Sequence, residues 1–131
     1  MQLQTKNNPH ISLCLFFEEA LAHLLYAAAD FIIIPSYVEP CGLTQMISSR
    51  YGTIAIARKT GGLSDSLEHR KTGILFSETS YANLEEAIDF ALLLYEQKTK
   101  TLEEMIFNAM TKNFSWSAGA AAYEALYKKY Q

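Results

Sequence analysis

The sequence has little cysteine and no apolar run long enough to cross a membrane. Its two cysteines, Cys14 and Cys41, match neither a disulfide framework nor a zinc-binding spacing. The longest apolar-rich stretches, residues 11–17 and 31–34, fall far short of the ~20 residues that a membrane-spanning helix needs. Residues 1–9 are polar and lack the apolar core of a signal peptide. We therefore expect a cytoplasmic protein with no membrane partner and no metal site.

An excess of basic charge is also missing, and glycine and proline are sparse. Lysine and arginine total 11 against 14 aspartates and glutamates, a net charge of −3, which excludes the basic footprint of a nucleic-acid-binding protein. Six glycines and three prolines in a chain that is 50% hydrophobic exclude a disordered or low-complexity linker. At 131 residues the chain has room for one domain at most.

What the sequence does contain is an alternation of short apolar segments with segments of helical periodicity. Asp30 and Pro35 bound the segment FIII, which is apolar on both faces and is typical of a strand buried between layers of helices. Strands alternating with helices predict an α/β fold with a parallel sheet. The predicted strands are residues 11–15, 31–34, 53–57 and 73–76. The predicted helices are residues 17–29, 43–51, 64–68, 83–95 and 102–110, and a last helix capped by Ser115.

Two polar loops follow predicted strands, at the edge of the sheet where α/β proteins bind ligands. In the first, Cys41, Gly42, Leu43 and Thr44 stand where a helix begins, and free N–H groups and the helix dipole favour an anion there. Glu39 stands just before this point, where its carboxylate can accept hydrogen bonds from sugar hydroxyls. The alternative is an ordinary strand-to-helix turn with an acidic residue at the helix start.

The second loop carries Thr60, Gly61 and Gly62. The two glycines let a ligand approach the backbone closely and Thr60 offers a hydroxyl, which suits a diphosphate or a sugar. It is not a P-loop, because no Gly-Lys-Ser/Thr follows at the required spacing. A plain turn is the alternative.

Phe17 ends the first predicted strand and either stacks on a base or packs in the core. His23, alone on its helix, is more simply structural.

Three motifs at fixed spacing resemble the bacterial glycogen synthases and plant starch synthases. They are PSxxEPCGLxQ at residues 35–45, RYGT at residues 50–53 and RxTGGLxD at residues 58–65. The segment EALAH at residues 19–23 matches the same family. Together these motifs are highly specific, and the resemblance extends over nearly all of the chain from about residue 11.

The resemblance implies a retaining glycosyltransferase of the GT-B type, family 5, which moves glucose from ADP-glucose, or alternatively UDP-glucose, to the non-reducing end of an α-1,4-glucan. No cofactor is implied. By resemblance, Glu39 contacts the donor glucose and Phe17 stacks on adenine. The diphosphate lies at Cys41, Gly42, Leu43 and Thr44, and the sugar side of the cleft is lined by Thr60, Gly61 and Gly62.

The family proteins are much longer than this chain. Their N-terminal domain, which binds the glucan acceptor, has no counterpart here, and neither do the Arg and Lys that neutralise the leaving diphosphate. Residues 1–131 are thus expected to be an incomplete C-terminal nucleotide-sugar-binding domain, Rossmann-like, that is inactive alone. A separately encoded N-terminal portion is a possible partner. The alternatives are a non-catalytic binding or assembly module and another GT-B enzyme, such as a sucrose or trehalose-phosphate synthase.

The resemblance also implies the order of strands in a partial doubly wound parallel sheet. In the order 3-2-1-4-5-6, residues 11–15 are the third strand, and residues 31–34, 53–57 and 73–76 are the fourth to sixth. The first and second strands, absent here, would lie between the third and the fourth. We therefore expect residues 11–15 to be misplaced, frayed or engaged in an intermolecular contact.

Overall fold

The computed structural model describes residues 8–130 and has a parallel sheet of three strands in the order β1-β2-β3. This confirms the α/β fold and the parallel sheet predicted from the alternating pattern. The strands are β1 (Phe31–Ile34), β2 (Ile54–Arg58) and β3 (Ile74–Phe76). The helices are α1 (Glu19–Ala28), α2 (Thr44–Tyr51), α3 (Gly61–Ser66), α4 (Tyr81–Glu96), α5 (Lys100–Thr111) and α6 (Trp116–Lys129). No helix in the described part of the chain is long and apolar enough to cross a membrane.

The central strand β2 organises the core because both of its faces are covered. Ile54 and Ile56 face α4 and α5, where Ala91, Met105 and Ala109 are buried against them. On the opposite face Ala55 and Ala57 pack with the buried Leu63 and Leu67 of the α3 region. The small side chains on that face let α3 approach the sheet closely. Because the strands are parallel, the loops after β1 and β2 leave the sheet at the same edge.

The start of β2 is shifted from the predicted Thr53 to Ile54 by a polar contact. The Thr53 side chain is buried, and its hydroxyl lies within hydrogen-bonding reach of the carbonyl oxygens of Tyr26 and Ala29 at the end of α1. Thr53 therefore ties α1 to the sheet instead of extending the strand.

The predicted strand at residues 11–15 is wrong. The segment is irregular and exposed, with Leu15 70% accessible. A strand exists only where a neighbour accepts its hydrogen bonds, and within the described residues this segment pairs with none. The result agrees with the expectation that the segment would be misplaced or frayed.

The predicted glycine loop is also corrected. Gly61, Gly62 and Leu63 are not a loop but the first turn of α3, which ends at Ser66 rather than running from residue 64 to 68. Ser115 does precede α6 as predicted, but its hydroxyl pairs with that of Ser117, 2.6 Å away, and does not cap the helix.

His69 covers the outer edge of β3. Its Nδ1 accepts a hydrogen bond of 3.0 Å from the Leu75 N–H, which requires an imidazole that is unprotonated at Nδ1. Burial, followed by the positive charges of Arg70 and Lys59, lowers the pKa of His69 below its ordinary value of 6.5. The native state therefore favours the neutral ring that the edge contact needs.

This arrangement predicts that acid weakens the fold through His69. Because the unfolded chain binds the proton more tightly, the free energy of unfolding should fall as the pH is lowered from about 7.5 to about 5.5. His69→Gln, whose amide oxygen can still accept from Leu75, should flatten that dependence, and His10→Gln should not. The measurement is urea unfolding at a series of pH values.

Glu68 does not confound this experiment. Hydrogen bonds from Lys112 and Lys71 lower the pKa of Glu68 from 4.5 to about 2, so its effect appears only in stronger acid. An equal pH dependence in the wild-type chain and in His69→Gln would contradict the role assigned to His69.

Candidate functional site

The two loops predicted to bind a ligand are in direct contact. The Gly62 N–H donates a hydrogen bond of 2.9 Å to the carbonyl oxygen of Glu39. A Cβ atom on Gly61 would overlap that same oxygen, and one on Gly62 would overlap the carbonyl of Cys41. Only glycine allows the backbones to approach this closely. The adjacent glycines thus join the loop after β1 to the first turn of α3.

Gln45, which the sequence analysis did not single out, fixes the turn before α2. Its side chain is fully buried, and its Nε2 lies 3.1 Å from the carbonyl oxygen of Cys41, 2.8 Å from that of Gly42 and 2.9 Å from the Ser66 hydroxyl. Ser66 in turn donates to the carbonyl of Gly62 at 2.5 Å. One amide therefore connects the start of α2 to the end of α3. Its sequence signal was the closing Gln of the PSxxEPCGLxQ motif, a polar residue in the first turn of the helix.

Arg58 was also missed as a structural determinant of the site. At the end of β2, its Nε donates to the carbonyl of Ser36 at 3.1 Å, and its Nη2 donates to that of Tyr37 at 2.8 Å. Its Nη1 donates to the Thr79 hydroxyl at 2.6 Å. Arg58 therefore joins the loop after β1 to the loop after β3, and three of its five N–H groups are used within the protein.

Glu39 is half-buried, and both its backbone carbonyl and its carboxylate accept hydrogen bonds. Its carbonyl accepts from Gly62, and its Oε2 accepts from the Ser36 hydroxyl at 3.3 Å. Since Arg58 holds Ser36, the carboxylate is oriented by two successive contacts. One carboxylate oxygen remains for an external donor such as a hydroxyl group.

The N-terminus of α2, which follows Glu39 in the same loop, has no side-chain cap. The N-cap residue is Leu43, which has no acceptor and is exposed. The N–H groups of the first turn are therefore not used by a capping side chain, and the helix dipole adds positive potential there. Thr60, the N-cap of α3, likewise forms no capping bond with its side chain. The arrangement can accept an anion at α2 and hydroxyl groups at Glu39.

Other predicted residues lie apart from these contacts. Phe17 is 86% exposed in the irregular segment before α1, so it does not pack in the core, and base stacking stays a prediction. His23 is structural as predicted, since its Nδ1 lies 2.9 Å from the Tyr51 hydroxyl and its ring contacts those of Tyr26 and Tyr51.

Comparison with known proteins gives concordant matches. The family model for glycosyl transferases group 1 matches residues 1–111. A glycogen synthase from Thermodesulfovibrio yellowstonii is 54% identical over 112 residues, which are 86% of this chain and 22% of that protein. A probable starch synthase 4 from Arabidopsis thaliana is 39% identical over 138 residues, 98% of this chain and 13% of that protein. The chain therefore spans a quarter or less of the length of these two relatives.

The solved structures agree. The catalytic domain of Starch Synthase IV from Arabidopsis thaliana, bound to ADP and acarbose, superposes with a TM-score of 0.84 at 40% identity, over 97% of this chain and 28% of that one. A sucrose-phosphate synthase from Thermosynechococcus elongatus gives a TM-score of 0.61 at 30% identity, over 81% of this chain and 26% of that one.

The contact between the two loops can be tested by adding one methyl group. Gly62→Ala should destabilise the fold by about 1–3 kcal/mol, because the new Cβ meets rigid backbone at Cys41. Gly119→Ala in α6 is the matched control: nothing lies within 4 Å of its added Cβ, and it should gain about 0.5–1 kcal/mol from helix propensity. Urea unfolding measures both. A Gly62→Ala chain as stable as the wild type would disprove the close approach.

Proposed function

This chain belongs to the family of group 1 glycosyl transferases, and we propose that it forms the nucleotide-sugar-binding part of a glycogen or starch synthase. The reaction of the whole enzyme is the transfer of glucose from ADP-glucose to the non-reducing end of an α-1,4-glucan, with retention of configuration. UDP-glucose is the alternative donor.

The observation that carries the proposal is the hydrogen bond from Gly62 to the carbonyl of Glu39. It places an acidic side chain, an uncapped helix N-terminus and a hydroxyl-bearing turn on one surface. In the proposed complex, the Glu39 carboxylate accepts hydrogen bonds from the donor glucose. The amides of Cys41, Gly42, Leu43 and Thr44 hold the diphosphate. The sugar side of the cleft is formed by Thr60, Gly61 and Gly62, and Phe17 stacks on the base.

Similar proteins support a nucleotide-sugar donor. The Arabidopsis catalytic domain is described as bound to ADP and acarbose. The Anabaena protein HepE, which is 28% identical to this chain with a TM-score of 0.56, is described in complex with UDP-glucose. These neighbours carry different bases, so the choice between ADP-glucose and UDP-glucose depends on the side chains around the base.

Catalysis also needs positive charge at the departing diphosphate, and the two arginines of the motifs are held against carbonyl oxygens of this chain. Arg58 donates to Ser36, Tyr37 and Thr79, and Arg50 donates to the carbonyl of Met110 at 2.7 Å. We therefore propose that the remainder of the enzyme supplies these cations and the glucan site, and that the chain is inactive alone.

The second candidate is a module that assembles with a separately encoded first portion. It is favoured by an unpaired sheet edge: within residues 8–130, β1 has a neighbour on one side only, and Ile33 on it is 46% exposed. The exposed Leu24 and Leu25 of the neighbouring α1 add apolar surface that a complementing chain would cover. A sucrose-phosphate synthase is disfavoured by the lower structural similarity reported above.

Donor binding can be assigned residue by residue by NMR. ADP should shift the amides of Gly42 to Thr44 equally in the wild type and in Glu39→Gln. ADP-glucose should bind about tenfold more weakly to Glu39→Gln, since a hydrogen bond to a charged group is lost. Glu96→Gln, an exposed change on α4, is the control. If ADP shifts no amide near Gly42, the anion site is wrong. If the variant weakens ADP and ADP-glucose equally, the sugar contact is wrong.

Complementation tests the activity. The purified chain should transfer no glucose from ADP-glucose to glycogen. Adding the first portion of a related glycogen synthase, cut where this chain begins to match, should give transfer that Glu39→Gln abolishes and Glu96→Gln retains. Turnover by the chain alone would refute the need for outside cations. Failure to complement at saturating concentrations, with both pieces folded, would refute the assembly.

A further inference from the structure

A groove of about 540 Å³ runs along the outer edge of β3, between the turn that follows α3 and the start of α4. Its volume lies within the usual range for small-molecule sites, roughly 300–1,000 Å³. Residues 39, 41–44 and 60–62, proposed above for the donor, do not line it. It is therefore a separate cavity that the proposed reaction does not use.

The lining of the groove includes two cations without acidic partners. Lys59 and Arg70 line it, and neither forms a salt bridge within the part of the chain that the structure describes. By contrast, the nearby Lys71 and Lys112 both pair with Glu68. Arg70 lies with its guanidinium carbon 4.4 Å from the centre of the Phe90 ring on α4. Stacking holds the guanidinium in place and leaves its N–H groups for a ligand.

His69 adds a third donor to the lining. Its Nδ1 accepts from the Leu75 N–H, so the neutral ring carries its proton on Nε2. The positive charges of Arg70 and Lys59 both lower the pKa of His69, so both cations act on this ring. Arg70, the next residue, has a positive φ of 61°, an unusual conformation for a residue with a side chain.

The rest of the lining adds polar and aromatic groups. Ser77, Asn83 and Glu86 present hydroxyl, amide and carboxylate groups, and Phe90 offers an apolar face. The single carboxylate, Glu86, leaves the groove with a net positive charge. A ligand that satisfies this lining carries an anionic group and several hydroxyls.

We propose that this groove binds a small phosphate monoester with a hydroxylated body, such as a sugar phosphate. The phosphate is held by Lys59, Arg70 and the Nε2–H of His69, and the hydroxyls contact Asn83 and Glu86. A phosphate dianion matches two cations and a neutral donor better than a carboxylate does, since it offers three acceptor oxygens and a second charge. This inference does not rest on the proposed transferase function.

The test is an NMR titration of the full 131-residue chain, with labelled histidine, at about pH 7 and constant ionic strength. Fructose 6-phosphate should shift the His69 ring and the Leu75 amide and raise the pKa of His69, because an adjacent anion stabilises the imidazolium. The double variant Lys59→Gln/Arg70→Gln should bind at least about tenfold more weakly. Lys98→Gln, a charge change away from the groove, should bind like the wild type.

Each control ligand decides one part of the proposal. Free fructose should give no shift at His69, and an equal response to it would overturn the anion site. Inorganic phosphate should bind more weakly than fructose 6-phosphate, and equal affinity would overturn the role of the hydroxyls. Shifts at Gly42 without shifts at His69 would assign the binding to the donor loop and refute the groove. If the double variant loses its dispersed spectrum, the exposed single change Lys59→Gln replaces it.

Discussion

The architecture of the site depends on one close backbone approach, in which the Gly62 N–H bonds the carbonyl of Glu39. No side chain can occupy the space between the two segments, because a Cβ on Gly61 or Gly62 would overlap the facing backbone. The loop after β1 and the start of α3 consequently behave as a single surface. Every functional group proposed for donor binding, with the exception of Phe17, lies on one of these two segments.

Two polar side chains stabilise this close approach by hydrogen bonds. Gln45 reaches from inside α2 to the carbonyls of Cys41 and Gly42 and to Ser66, and Arg58 holds the carbonyls at the base of the loop. Polar groups that find partners fix one geometry, because displacement leaves them unsatisfied. For Gln45 this holds for Nε2, since its buried Oε1 has no hydrogen-bond partner within the described residues. Three of the five N–H groups of Arg58 are used in this way, so most of its hydrogen-bonding capacity goes to holding the loops.

The two edges of the sheet differ in how they are covered. The edge at β3 is closed by His69 and bounded by a groove with unpaired cations. The edge at β1, within the described residues, has no neighbour and carries the exposed Ile33. A bare apolar edge is suited to strand pairing, whereas a capped edge is free to form a small-molecule site.

The local sequence pattern was sufficient to predict those elements whose burial depends on residues close to each other in the sequence. The apolar run at residues 31–34 and the helices predicted at residues 83–95 and 102–110 were predictable, because each depends on side-chain period over a few positions. The position of Glu39 before a helix was likewise predicted from the residues around it. The strand at residues 11–15 was not, because a strand needs a pairing partner that no local pattern supplies. Nor could the glycine pair be recognised as a helix start, or Gln45, Arg58 and His69 as connectors. Their roles come from carbonyls and N–H groups that only folding brings within hydrogen-bonding distance, and hydrogen bonds are decided by geometry in three dimensions.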